Sequence, residues 1–212
     1  MLRFTFILLI ALLVIGCGNT SSNKEEHKLL LPVLGAKKLA GVEGKDTLYH
    51  TISNFSFINQ YHDTVTEKTI DNKIYVADFF FATCQSICPR MSSQLVHVQN
   101  AFKNDSDFLI LSHTVNPMHD TVEVLNGYAQ SYGAVKNKWH FLTGNKKEIY
   151  DLAKYSYLVN AFEDDGSPEG FLHSELFVLI DKQKRIRGVY DGTDSSAVVK
   201  LISDVKLLKT EK

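Results

Sequence analysis

An α/β domain with a mixed central sheet flanked by helices is what this sequence predicts, and three observations carry that expectation. Runs rich in apolar, β-branched and aromatic residues recur at Ile74–Phe81, Asp107–Ser112 and Trp139–Thr143, each the length of a strand covered on both faces. The stretches between them place apolar residues at helical spacing. Two further strand-like runs, Ser174–Asp181 and Arg185–Tyr190, are split by the polar turn Lys182-Gln-Lys184 and followed by a last helical pattern. Alternation that ends in a hairpin and a helix describes a thioredoxin-like fold.

Taken in order, the chain opens with Arg3 and an apolar run from Phe4 to Gly16. That run is short for a membrane span and suits the core of a signal peptide. Val14-Ile15-Gly16-Cys17 resembles the bacterial lipobox, so residues 1–16 are expected to be removed and Cys17 lipidated. The folded part is then expected in the cell envelope, outside the cytoplasm on the periplasmic side. Residues 17–50 read as the lipidated cysteine, a polar flexible tether and an extended lead-in with one short edge strand. The domain itself is expected over 51–212.

Asn54–Asn59 and Asp63–Thr66 flank a turn at Gln60–His62, which predicts an N-terminal β-hairpin. The strand Ile74–Phe81 leads into a helix from Pro89 to Lys103, with Met91, Leu95, Val98 and Phe102 on one face and proline in the first turn. The second helix is expected over Thr121–Tyr132, with Asp120 as its N-cap. Asn145, with Glu148 three residues on, opens a third helix running to Leu158. Asn160–Phe171 is acidic and rich in breakers, hence a surface loop. The final helix begins at Asp194 and buries Val198, Leu201, Ile202, Val205 and Leu208.

Lysine plus arginine number 23 against 24 aspartates and glutamates, with no long basic run, so no nucleic-acid footprint is present. There are three cysteines. With Cys17 assigned to the lipobox, only Cys84 and Cys88 remain, which excludes a disulfide-dense scaffold. Closing so short a loop removes little unfolded-state entropy, so the pair is read as functional. It brackets the turn from strand to helix. A helix N-terminus favours a thiolate, and Cys88 lies closer to it, so its pKa is expected to fall. The three intervening residues allow either a disulfide or a metal site.

A metal would need another donor, and eight histidines are available. His113 follows a buried strand at its carboxyl end, where open sheets bind ligands, while His173 begins the closing hairpin; spacing does not choose between them. His97 and His140 are expected to pack, His62 to sit in a turn, and His119 precedes the second helix. Asp78, inside the apolar strand, reads either as a proton relay for the thiols or as a hydrogen-bonded structural carboxylate.

Thr83-Cys84-Gln-Ser-Ile-Cys88-Pro89 resembles the T-C-x-x-x-C-P signature of the Sco/SenC copper-chaperone family, and Asn116-Pro-Met-His-Asp-Thr121 and Leu172-His173-Ser174 resemble two more of its motifs. The motifs occur in the family's order, and the resemblance covers most of the chain from about Asn54 to Asp194. Asn116 and Leu172 depart from the acidic residues more often found there, which bears on the charge around the site. The resemblance implies copper, as Cu(I) or Cu(II), on Cys84, Cys88 and His173, and delivery to the dinuclear copper site of a cytochrome c oxidase subunit. It leaves His113 a bystander. A thiol–disulfide reductase acting on the acceptor's cysteines, fed by a thiol reductant, is the alternative, and a peroxidase ranks last.

Overall fold

The computed structural model describes residues 30–40, 46–163 and 171–211. In chain order the elements are β1 (Lys37–Ala40), β2 (Asp46–Tyr49), β3 (Ser56–Asn59), β4 (Thr64–Thr66), β5 (Ile74–Phe80), α1 (Cys88–Ala101), β6 (Phe108–Thr114), α2 (Val122–Ser131), β7 (Trp139–Thr143), α3 (Lys146–Asp151), β8 (Ala161–Glu163), β9 (Phe171–His173), β10 (Leu176–Ile180), β11 (Ile186–Asp191) and α4 (Ser195–Leu208). Seven strands form one sheet in the order β11-β10-β5-β6-β7-β3-β4. β5, β6 and β7 run parallel, whereas β10 and β3 join antiparallel. The expected N-terminal hairpin, β3–β4, therefore extends the main sheet through Ile58 opposite Thr143.

β5 and β6 are buried at every position, which is why both read as unbroken apolar runs rather than alternating ones. Their two faces carry different partners. Phe80 meets Tyr128 of α2, and Tyr128 in turn shares a hydrogen bond with Ser92 of α1, so α1 and α2 cover one face. Tyr75 and Phe79 meet Tyr157 on the other. Met91, Leu95 and Val98 of α1 are fully buried, each contributing about 1.5–3 kcal/mol of transfer free energy.

Several boundaries differ from expectation for identifiable reasons. α1 starts at Cys88, because Pro89 occupies the first turn without needing a donor and no side chain caps the end. Thr121, not Asp120, caps α2: its side-chain oxygen accepts from Val124 N–H, while Asp120 is turned inward. Asn145 does cap α3, accepting from Glu148 N–H at 3.1 Å. From Leu152 to Tyr157 that helix continues as a π-helix, which ends on Leu158 in the left-handed region, φ 59°. Leu152, Ala153, Ser156 and Tyr157 of this turn are buried.

The lead-in holds two strands rather than one, since β1 pairs with β2. The acidic stretch expected as loop contributes strands at its ends, with β8 and β9 paired antiparallel, and residues 164–170 lie outside the described part. His97 is exposed rather than packed, because Leu95 and Val98 already occupy the inward face of α1. The signal-peptide run and Cys17 also lie outside the described residues; among those described, no helix is long and apolar enough to cross a membrane.

Leu31–Leu34 dock at the edge of the sheet. Arg187 donates to the carbonyls of Leu31 (2.6 Å) and Pro32 (3.0 Å), and pairs with Glu211 and buried Asp181. Leu34 N–H reaches Ile186 O at 2.8 Å.

Leu95→Ala is expected to lower unfolding free energy by about 2–5 kcal/mol through lost burial and a residual cavity, read from the urea midpoint at unchanged slope.

Candidate metal centre

β5 ends at Phe80, and the chain turns through Phe81–Ile87 into α1. Cys84 N–H closes that turn on Phe81 O at 3.2 Å, and Cys88 N–H donates to Cys84 Sγ at 3.4 Å. Ser86 Oγ lies 3.6 Å from the same sulfur. Cys84 is 4% exposed and Cys88 fully buried. The two thiols are hydrogen-bonded to each other.

Cys88 contradicts the expectation of a lowered pKa. Its thiol is pushed far up, first by its side-chain hydrogen bond to Cys84 and next by burial, with a smaller like-charge contribution from Asp78; a backbone hydrogen bond at Phe81 opposes them. The helix N-terminus spends its Cys88 N–H on the sulfur of Cys84 rather than on Cys88's own. Hydrogen bonding to Cys84 and burial both favour the protonated form of the Cys88 thiol.

Asp78, whose charge adds a small upward push on the Cys88 thiol, is 1% exposed. Ser112 Oγ donates to its Oδ1 at 2.5 Å, and Trp139 Nε1 donates to Ser112 Oγ at 2.8 Å. This chain crosses β5, β6 and β7 and holds the carboxylate in a hydrogen-bonded position.

Asp120 is the positioning residue that sequence reasoning missed. Fully buried, its Oδ2 accepts from Ala82 N–H at 3.0 Å and from Thr114 Oγ1, while His119 Nδ1 lies 3.0 Å from Oδ1. It ties the cysteine loop to the segment after β6 across 38 positions of sequence. An aspartate beside a helix start ordinarily caps that helix, which hid the longer reach; Thr121, able to cap in its place, was the available signal.

The histidines sort clearly. His113 stands opposite Phe79 and faces away from the thiols, its ring 5.1 Å from Phe79 and ringed also by Phe55, Phe57 and Tyr157. Neither ring nitrogen has a hydrogen-bond partner, and burial pushes its pKa down to about 3. His140 packs as expected, with Nδ1 3.1 Å from Asn59 Nδ2. His50 Nε2 meets Ser156 O at 2.6 Å, and His62 occupies a turn at φ 64°. His173 is the last residue of β9, its backbone opposite Ala161; its side chain lies outside the described part. β10, which follows closely, runs antiparallel to β5 and therefore begins at the end of β5 from which the cysteine loop leaves. Among the described residues no cluster of three or more histidine, cysteine or acidic side chains forms a metal site.

The sequence model of the SCO1/SenC family matches residues 43–207. The chain belongs to the SCO1/SenC family. A SCO1/SenC family lipoprotein from Bacillus anthracis superposes with a TM-score of 0.69 at 27% identity, covering 76% of this chain and 95% of that one. BsSco, described as a member of the Sco family of cytochrome c oxidase assembly proteins with a disulfide switch, gives 0.68 at 29% identity over 79% and 98%. Arabidopsis thaliana ScoI, solved with copper bound, shares the fold at 0.60 and 24% identity over 73% and 97%. The fold is thioredoxin-like. In this SCO1/SenC chain the paired sulfurs have two available chemistries, closing a disulfide or gripping a soft ion, and both require the thiols to lose their protons.

In the reduced protein the Cβ chemical shift of Cys88 is expected to remain that of a thiol through pH 9, where an ordinary cysteine is half ionised. A midpoint below 9 would contradict the assignment.

For His113 the folded pKa, about 3, lies below the ordinary 6.5. The unfolded chain therefore takes up the proton first, so this contribution to stability is complete above 6.5 and is lost as pH falls towards 3. His113→Phe should flatten that acid limb and stabilise by about 1–3 kcal/mol at neutral pH, by replacing two unsatisfied nitrogens with carbon; denaturant titrations at pH 7 and 4.5 check both.

Proposed function

We propose that this chain is a membrane-tethered carrier that takes copper as cargo on Cys84, Cys88 and His173 and delivers it to the dinuclear copper site of a cytochrome c oxidase subunit. One observation carries the reading: two buried thiols held in mutual hydrogen-bond contact by a strand-to-helix turn, beside the end of the sheet where β10 begins and His173 shortly precedes it. Two thiolates and an imidazole form a soft donor set suited to Cu(I), and Cu(II) also ranks high in affinity. A structural zinc site would want four protein ligands. Three leave a position through which an acceptor's sulfur or nitrogen can enter. The copper in the ScoI structure, carried on the same fold, supports the choice of ion.

The tether belongs to the same proposal. Residues 1–16 form the leader, Cys17 carries the lipid, residues 17–50 link it to the domain over 51–212, and the domain works on the periplasmic side of the membrane. The description of the Bacillus anthracis relative as a lipoprotein supports this. So does the docking of Leu31 and Leu34 beside Ile186 and Arg187. Ile186 pairs with Ile180, which pairs with Tyr75 near the start of β5, so the lead-in enters at the end of the sheet remote from the thiols. The thiols then lie at the end of the sheet opposite the tether.

The contact between the sulfurs also favours a second reading, a thiol–disulfide reductase that prepares the acceptor's cysteines and is itself recharged by a thiol reductant. The disulfide switch described for BsSco supports it. Reduction of an acceptor-peptide disulfide at a rate unchanged by His173→Ala would favour the reductase over the carrier.

Cys84→Ser, Cys88→Ser and His173→Ala are each expected to weaken Cu(I) binding by more than the roughly 10–100-fold that changes around a metal site cost, in anaerobic competition titrations. Unchanged affinity in His173→Ala would remove the imidazole from the ligand set.

A further inference from the structure

The loop after β6 presents two soft donors that the thiol site does not use. Met118 is 83% exposed, far outside the core that holds most other large apolar side chains. His119 beside it is half exposed, with Nδ1 3.0 Å from Oδ1 of Asp120. A carboxylate oxygen can only accept, so the ring proton sits on Nδ1 and the lone pair is left on Nε2. A carboxylate behind one ring nitrogen, fixing tautomer and orientation, is the usual support of a metal-binding imidazole. The turn that displays the pair is fastened by three short-range bonds: His119 and Asp120 N–H to Asn116 O, at 3.1 and 2.9 Å, and Thr121 N–H to His119 O at 2.9 Å.

The other oxygen of Asp120 accepts from Ala82 N–H, two residues before Cys84. One buried carboxylate therefore orients His119 and anchors the cysteine loop, and Val115 N–H on Phe80 O at 2.8 Å keeps the two segments side by side. The thiols are buried, so an arriving ion meets no exposed ligand in that pair. An exposed thioether has no proton to lose on binding.

We propose that Met118 and His119 form an entry site for Cu(I), binding it weakly through Sδ and Nε2 at the rim before it passes to the cysteines. Its purpose rests on the copper-carrier reading; its existence as a binding site does not. Passage is a ligand exchange in which copper stays Cu(I): thioether and imidazole leave, two thiolates enter, the two thiol protons go to solvent, and no electron is transferred. The thioether–imidazole pair suits Cu(I), whereas Zn²⁺ would require further ligands from this loop.

The test uses the full chain carrying Cys84→Ser and Cys88→Ser, titrated anaerobically with Cu(I) supplied as its acetonitrile complex. The site predicts one weakly bound equivalent whose X-ray absorption shows one sulfur and one imidazole neighbour. Adding Met118→Leu or His119→Gln should weaken it by about tenfold or more. Affinity within twofold of the parent in both, or copper lacking imidazole scattering, overturns the entry site. Should the double serine variant misfold, the wild-type chain with its thiols closed as a disulfide is titrated with Ag(I) instead, and the His119 ring resonances must shift while those of His97, exposed on α1, stay still; unmoved His119 resonances overturn it. A wild-type chain that holds Cu(I) no more tightly than the double serine variant would instead sink the carrier reading and leave the rim site standing.

Discussion

The interaction on which the site depends is the commitment of Cys88 to Cys84, through its backbone N–H and through its thiol. A helix N-terminus has few free donors, and here one is directed onto a sulfur rather than into solvent. The result is an asymmetric pair, one sulfur collecting hydrogen bonds and the other keeping a proton. Both outcomes open to such a pair, disulfide or metal thiolate, require the protons of both thiols to leave. The surroundings are arranged to hold the turn still: Asp120 fastens Ala82, Phe81 O receives Cys84 N–H, and Pro89 sets the first turn of α1.

The sheet separates two tasks along its length. At one end the chain enters, locked by Arg187 between Asp181, Glu211 and the carbonyls of Leu31 and Pro32. At the other end the loops after β5 and β6 and the start of β10 converge. Because β5 and β6 are parallel in register from Ile74–Phe108 to Phe80–Thr114, the loops that follow them leave side by side, and only then can a carboxylate after β6 reach an amide after β5. The arrangement follows the general preference of open α/β sheets for ligand sites at the carboxyl ends of strands.

Not every polar group near the site serves it. His113 occupies a favourable address by sequence, the end of a central strand, yet the two-residue alternation of β6 turns it to the face opposite Ser112 and Asp78. There it stacks on Phe79 without a hydrogen bond, a net cost that the rest of the core offsets.

Local periodicity determined much of this protein from the sequence alone. The buried runs of β5 and β6, the apolar face of α1, the Asn145 cap and the bracketing of a strand-to-helix turn by Cys84 and Cys88 depend on residues within one or two turns of one another. The family motifs, being contiguous, were legible for the same reason. What only the tertiary structure decided involves partners distant in sequence: strand order, the turning of Asp120 from cap to clamp, the side of the sheet on which His113 falls, the exposure of His97, and the direction of the Cys88 pKa. That direction is set first by the hydrogen bond to a second thiol and next by burial, and burial is a property of the whole packed chain rather than of any stretch of it.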